Sequence, residues 1–189
     1  DRIEAGTYLA AATVTNGSIT IKKVDPNRLE NILSKLRLCG ADIETTNESV
    51  SIEMRSDINP VDIQTQPFPG FPTDMQAQFT VINALSKGTS VITENVFENR
   101  FMHVQELVRM GANIIPKTRV AVVRGKAGCL KGAPVMATDL RASASLILAA
   151  LAAEGTTEVL RIYHLDRGYE KLEEKLARLG AKIERAKES

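Results

Sequence analysis

Leu36-Arg37-Leu38-Cys39-Gly40-Ala41-Asp42-Ile43 returns as Leu107-Val108-Arg109-Met110-Gly111-Ala112-Asn113-Ile114 and again as Leu176-Ala177-Arg178-Leu179-Gly180-Ala181-Lys182-Ile183. An apolar residue, Gly-Ala, one polar residue and Ile keep the same order each time. This is the pattern of a helix that stops at glycine and runs on into a strand. Reading back from the first copy, Leu29, Ile32, Leu33 and Leu36 have the three-four spacing of an amphipathic helix. That helix begins at Asp25-Pro26, where Asp suits the cap and Pro the first helical position.

Further upstream in each copy a second set of segments aligns. They open at Asp1-Arg2-Ile3-Glu4, Thr73-Asp74-Met75-Gln76 and Thr138-Asp139-Leu140-Arg141, continue as Ala-rich or apolar helices, and end at Asn16-Gly17, Lys87-Gly88 and Glu154-Gly155. Glycine there is expected to stop the helix in the left-handed conformation. The β-branched runs Ile19-Thr20-Ile21, Val91-Ile92-Thr93 and Thr156-Thr157-Glu158-Val159 follow and are expected to be strands.

Downstream of the Gly-Ala signature the first two copies predict a hairpin, turning near Thr45–Glu48 and Lys117–Arg119, with return strands Val50–Met54 and Val120–Val123. A further strand, Val61–Thr65 or Pro134–Met136, leads into the next Thr-Asp. The repeating unit is therefore β-α-β-α-β-β, at about 1–58, 59–125 and 126–189. The first copy lacks its opening strand and the third its return strand. The expectation is an α/β (α+β) fold in one domain, three units around a common axis with helices inside and sheets outside.

Composition excludes several classes. Across 189 residues, 24 Lys+Arg balance 23 Asp+Glu for a net charge of +1, and 43% of the residues are hydrophobic. A globular core is affordable, and the basic field that holds nucleic acid by counterion release is absent. The longest uncharged apolar run, Ala142–Ala153, is too short to span a bilayer. Cys39 and Cys129 form no disulfide framework, and Cys39 shares its register with Met110 and Leu179, which places it in the core. His103 and His164 fall in corresponding loops and suggest loop geometry rather than a metal; no metal site is expected. The chain opens at Asp1 inside what reads as a helix start, as if an upstream part had been removed.

The candidate chemistry lies at the helix starts. Asp1, Asp74 and Asp139 each stand where a carboxylate caps a helix. In symmetry-like positions their helices would also bring positive N-terminal ends together, where anions collect and an Asp can take a proton from a hydroxyl. Arg2 and Arg141 follow the capping Asp closely, and Arg100 and Arg167 stand in matched register after Gly88 and Gly155. Guanidinium groups there suit phosphate or carboxylate, although ordinary surface salt bridges would use the same residues. Gln66-Pro67-Phe68-Pro69-Gly70-Phe71-Pro72 is either a binding-site wall or a rigid connector, and Phe97 either stacks on a planar base or packs under the next helix.

At Phe71-Pro72-Thr73-Asp74-Met75-Gln76-Ala77-Gln78, Glu94-Asn95-Val96-Phe97-Glu98-Asn99-Arg100-Phe101, Ala137-Thr138-Asp139-Leu140-Arg141-Ala142-Ser143-Ala144 and Tyr163-His164-Leu165-Asp166-Arg167-Gly168-Tyr169-Glu170 the chain resembles the bacterial UDP-N-acetylglucosamine enolpyruvyl transferases, from Asp1 to Ser189. The resemblance implies a cytoplasmic two-domain enzyme, each domain an inside-out α/β barrel of three units, with the active site between them. It implies transfer of the enolpyruvyl group of phosphoenolpyruvate to the 3′-hydroxyl of UDP-N-acetylglucosamine with release of phosphate, the first committed step of peptidoglycan synthesis, without metal or organic cofactor. Position by position, Asp74 resembles the general base at the 3′-hydroxyl; Val96, Phe97 and Arg100 resemble contacts to the nucleotide sugar; Arg141 and Arg167 resemble the arginines that engage phosphoenolpyruvate; Asp139 and Asp1 resemble supporting acids. The family's Lys-Asn pair, a further phosphate-binding Arg and the Cys that donates a proton belong to the other domain and have no counterpart here. The resemblance therefore implies that this chain is the second domain, inactive alone. The alternative, from a different class, is a noncatalytic module that binds nucleic acid or protein.

Overall fold

The structure, a computed structural model, describes residues 1–187. The first copy of the repeat supplies α1 (Arg2–Val14), β1 (Ser18–Lys22), a 3-10 turn at Pro26–Leu29 leading into α2 (Glu30–Leu38), β2 (Asp42–Thr45) and β3 (Ser49–Glu53). The second supplies β4 (Ile63–Gln64), a 3-10 turn at Thr73–Met75 leading into α3 (Gln76–Ala84), β5 (Thr89–Thr93), α4 (Met102–Arg109), β6 (Asn113–Pro116) and β7 (Val120–Arg124). The third supplies β8 (Pro134–Met136), α5 (Leu140–Ala152), β9 (Glu158–Leu160), α6 (Tyr163–Asp166) and α7 (Leu172–Arg178).

The thrice-repeated Gly-Ala signature closes α2, α4 and α7 with one hydrogen-bond pattern. Ala41, Ala112 and Ala181 donate their N–H to the carbonyls of Leu36, Leu107 and Leu176 at 3.2, 3.0 and 3.0 Å. One residue earlier, Gly40, Gly111 and Gly180 donate to Arg37, Val108 and Ala177 at 3.0 Å each. These paired bonds need a left-handed residue between helix and strand, and the three glycines have φ of 104°, 112° and 102°. The other expected set of glycine stops holds only in part. Gly155 is left-handed at 90°, whereas the first stop falls to Asn16 at 54° and neither Gly17 nor Gly88 has positive φ. Asn tolerates this conformation almost as well as Gly, so the chain turns one residue early.

The strands form three separate sheets ordered β1-β3-β2, β4-β5-β7-β6 and β8-β9. β4 runs parallel to β5 and β8 parallel to β9, and the remaining neighbours are antiparallel. Among the described residues no ladder joins one sheet to the next, so the strands do not close into a hydrogen-bonded barrel. Among the described residues the third copy lacks both hairpin strands, not only the return strand. β2 and β6 pair solely with β3 and β7. Beyond α7 the described part of the equivalent segment has no such partner and forms no ladder; Arg185 instead ties it to Asp166 and Glu173 by ion pairs of 2.6 and 3.0 Å.

The first long helix of each copy lies in the centre, where α1, α3 and α5 pack against one another. All nine residues of α3 are buried, polar ones included. Asn83 answers the resulting hydrogen-bond demand by clasping the backbone of Val61, accepting its N–H at 2.9 Å and donating to its carbonyl at 3.0 Å. On α1 close approach depends on Gly6, where a Cβ would stand 3.0 Å from Met75 Sδ and 3.1 Å from Ile32 Cδ1. α2 and α4 bury only one stripe, Ile32, Leu33 and Leu36 or Val104 and Leu107. Cys39 is fully buried, and burial pushes its thiol up to about 12. None of the described helices is long and apolar enough to cross a membrane.

The three signature glycines differ in their surroundings, which makes them separable by mutation. A Cβ on Gly111 would stand 2.4 Å from the Cys129 carbonyl oxygen, while around Gly180 nothing lies within 4 Å. Gly180→Ala is expected to cost about 1 kcal/mol, the strain of a left-handed alanine, and Gly111→Ala about 3 kcal/mol or more once the clash is added. Urea denaturation of the two variants checks the ranking.

Candidate active site

Two of the three helix-start aspartates cap their helices and the third does not. Asp1 Oδ1 accepts the N–H of Ile3 at 2.8 Å, and Asp139 Oδ1 accepts those of Arg141 and Ala142 at 2.9 Å each. Asp74 sits inside the 3-10 turn that precedes α3, two residues beyond the capping position, which Pro72 occupies. Its carboxylate makes no cap and instead faces two guanidinium groups, Arg100 Nη1 at 3.2 Å and Arg141 Nη2 at 3.8 Å. Capping is thereby ruled out for Asp74 and confirmed for the other two.

Each of these arginines is held from behind. Arg100 donates to the hydroxyl of Thr73 at 3.1 Å and lies 4.7 Å over the ring of Phe97, which is 50% exposed and so not packed under α4. Arg141 donates to the Tyr169 hydroxyl at 3.1 Å and lies 5.5 Å over its ring, which is buried. The wiring behind Tyr169 can be assigned by counting protons. Thr7 donates to the Ile3 carbonyl at 2.8 Å and accepts from Gln78 at 3.2 Å, so Tyr169, 2.9 Å away, must donate to it. The Tyr169 oxygen is then left to accept from Arg141, and one buried chain couples α1, α3 and the segment before α7 to that guanidinium.

Thr73, Gln76, Arg100, His103, Asp139 and Arg141 line the small cleft between these groups. His103 is buried in the first turn of α4 with Nε2 unpartnered. Burial above all pushes its pKa down to about 4; Arg100 adds to this, while Asp139 and Glu94 oppose it. The ring is therefore neutral at pH 7 and adds no charge to the cleft.

Arg167 stands apart from this cluster, exposed at the end of α6. Val96 and Phe97 reach the site through their backbone, both N–H groups bonding the Glu94 carboxylate at 3.0 and 3.2 Å. In the Pro-Gly loop the two aromatics part company: Phe71 is buried edge-on against Phe79 at 5.1 Å, and Phe68 is 74% exposed with Arg2 5.2 Å over its ring. Sequence inspection assigned no role to Glu94, Gln76, Thr7 or Tyr169. The available signal was Gln76 and Gln78 in a helix start otherwise apolar, since buried amides require partners. Among the described residues no group of three or more His, Cys, Asp or Glu is placed to hold a metal.

The His103 shift makes a stability prediction. Its folded pKa lies below the unfolded value near 6.5, so the unfolded chain binds the extra proton and stability falls as pH drops from 6.5 toward 4. The loss approaches about 3 kcal/mol at full protonation. Denaturation of wild type and His103→Gln should diverge in their pH dependence only in that window, the variant losing less on acidification.

The chain was compared with known proteins. The family model for EPSP synthase (3-phosphoshikimate 1-carboxyvinyltransferase) matches residues 1–176. UDP-N-acetylglucosamine 1-carboxyvinyltransferase of Bdellovibrio bacteriovorus is 62% identical over 185 residues, 98% of this chain and 45% of the relative. The protein of the same name from Aeromonas hydrophila is 58% identical over 99% of this chain and 45% of its own length. The chain thus spans a little under half the length of these curated relatives. Among solved structures, the enolpyruvyl transferase NikO from Streptomyces tendae superposes with a TM-score of 0.87 at 31% identity, covering 97% of this chain and 44% of that one. An EPSP synthase from Acinetobacter baumannii shares the fold at a TM-score of 0.76 and 16% identity, over 98% of this chain and 46% of its own.

Proposed function

Because the chain belongs to the EPSP synthase family, we propose that it forms one domain of a UDP-N-acetylglucosamine 1-carboxyvinyltransferase, acting in peptidoglycan synthesis in the cytoplasm. Acceptor choice follows from identity: 58% and 62% to transferases of UDP-N-acetylglucosamine, against 16% to an EPSP synthase of the same fold. Its relatives are about twice as long, so a complementary domain would complete the site. In this reading the domain is an inside-out α/β barrel with units at about 1–58, 59–125 and 126–189.

The observation that carries the proposal is the uncapped Asp74 carboxylate between two guanidinium groups. In the reaction the 3′-hydroxyl oxygen of the sugar bonds to C2 of phosphoenolpyruvate while C3 gains a proton. The resulting ketal then loses phosphate from C2 and a proton from C3. Asp74 takes the proton of the attacking hydroxyl, a role open to a carboxylate not committed to backbone N–H groups. Arg141 and Arg167 engage the phosphate and carboxylate of phosphoenolpyruvate; in the substrate-free chain Arg141 rests against Asp74, and an anionic substrate competes for it. Val96, Phe97 and Arg100 hold the nucleotide sugar, and Asp1 and Asp139 keep the two helix starts in place. The proton for C3 comes from the complementary domain.

Two outcomes test this. The 189-residue chain alone should release no phosphate from phosphoenolpyruvate in the presence of UDP-N-acetylglucosamine, with any measurable turnover contradicting the shared-site model. In the complete transferase, Asp74→Ala should lower kcat by about 100-fold or more, with the sugar-nucleotide KM changed only a few-fold. Preference for shikimate 3-phosphate over UDP-N-acetylglucosamine would reassign the acceptor.

A further inference from the structure

We infer that Glu94, at the end of β5, is a positioning residue for the reaction centre: through the hydroxyl of Thr73 it fixes where Arg100, and with it Asp74, stands. The inference rests on the transferase proposal for its kinetic meaning and on geometry alone for its structural content. Glu94 is 1% exposed. Five donors converge on its carboxylate: the Thr65 hydroxyl at 2.8 Å, the Thr73 hydroxyl at 3.0 and 3.1 Å, the Gln76 amide at 3.3 Å and the N–H groups of Val96 and Phe97 at 3.0 and 3.2 Å. The arginine nearest in this network, Arg100, makes its ion pair with Asp74 instead. A buried carboxylate met by dipoles is expensive to hold, and each donor is committed by it.

The two oxygens have different tasks. Oε1 gathers Thr65 and the backbone of Val96 and Phe97, shaping the loop after β5. Oε2 faces Thr73 and Gln76, at the entrance to α3. Because Thr73 has one hydroxyl proton and spends it on Glu94, its oxygen is left to accept, and what it accepts is Arg100 Nη1 at 3.1 Å. The same Nη1 reaches Asp74 Oδ1 at 3.2 Å. Gln76 closes the circle, its amide donating to both Glu94 and the carbonyl of Arg100, at 3.3 and 3.1 Å. The polarity therefore runs one way, from Arg100 through Thr73 to Glu94, with Asp74 the second acceptor of Arg100, and a donor at the far end reverses the last link.

Glu94→Gln makes that reversal with little change of shape. The amide oxygen still serves Val96 and Phe97, but an NH2 group now meets Thr73 and Gln76. The Thr73 hydroxyl is left with only the amide oxygen, already crowded by Thr65, Val96 and Phe97, as its acceptor there, while the new NH2 group competes with Arg100 for its lone pairs. In the complete transferase this variant should lose about tenfold or more in kcat, with the UDP-N-acetylglucosamine KM within about threefold, as expected when a reacting group is misplaced rather than a substrate released. Thr73→Val should lose a similar factor, Thr73→Ser should restore near-normal turnover, and the double variant Glu94→Gln/Thr73→Val should be no worse than either single. Losses that multiply in the double variant, or normal kcat in Glu94→Gln, would overturn the assignment. A fall in melting temperature that accounts for the lost activity would reduce Glu94 to a structural group. A wild-type transferase that does not use UDP-N-acetylglucosamine would count against the function, not against the geometry. For that case the crystal structure of the Glu94→Gln chain decides: Arg100 displaced from Thr73 supports the inference, and Arg100 unmoved refutes it.

Discussion

Everything in this domain depends on how closely α1, α3 and α5 approach one another. α3 is buried on every side, and α1 and α5 present Ala5, Ala10, Ala12, Ala142, Ala144 and Ala149 to the interior, so the three helices meet through small side chains. Small residues permit close contact but contribute little area each, and the sheets and amphipathic helices outside must supply the remaining apolar cover. One result is that the first turns of the three helices are held side by side. Glu4 on α1 pairs with Lys175 on α7 at 2.8 Å, and Thr7 reaches Gln78 on α3 and Tyr169 beside α5.

Close packing also creates the demand that the polar network meets. A helix start with no solvent-facing side cannot leave an amide or hydroxyl unpaired without cost. Gln76, Gln78, Thr7 and Tyr169 therefore bond to one another or to loop groups, with Gln78 Oε1 left unpartnered among the described residues, and two of the resulting chains end on arginines. The guanidinium of Arg141 is in this way placed by buried Tyr169 and that of Arg100 by half-buried Thr73, while their outer faces remain available to Asp74 and to solvent. A part-buried carboxylate flanked by two part-buried cations is a better-insulated pairing than a surface salt bridge, with side-chain exposures of 38% for Asp74 and 30% and 17% for the arginines.

The repeat was readable in the chain because its signals are local. Leu36, Gly40 and Ala41 and their counterparts each satisfy hydrogen bonds within six residues, and Asp1, Asp25 and Asp139 cap over two or three. Local chemistry of that range survives whatever the rest of the chain does. The same reasoning misjudged Gly17, where Asn16 takes the left-handed turn first, and Gly88, which has no positive φ. It also expected a strand after Gly180, although a strand needs a partner and the segment has none.

Asp74 marks the boundary between the two kinds of information. Its register with Asp1 and Asp139 is a property of the sequence, and so are the arginines spaced around it. That it is not a cap follows from the 3-10 turn at Thr73–Met75, which carries it past the capping position. Glu94 lies further across that line, since nothing near it in the chain distinguishes it from a loop acid. Its five donors come from the strand end, the helix entrance and its own loop, and only folding brings them together. The sequence by itself determined the three-fold repeat, the helix ends and the residue types at the helix starts, because short-range hydrogen bonding decides those. The tertiary structure alone decided which aspartate is free, which arginines reach it and which carboxylate stands behind Thr73 and Arg100, because those contacts join residues distant in the chain and exist only once the central helices have packed.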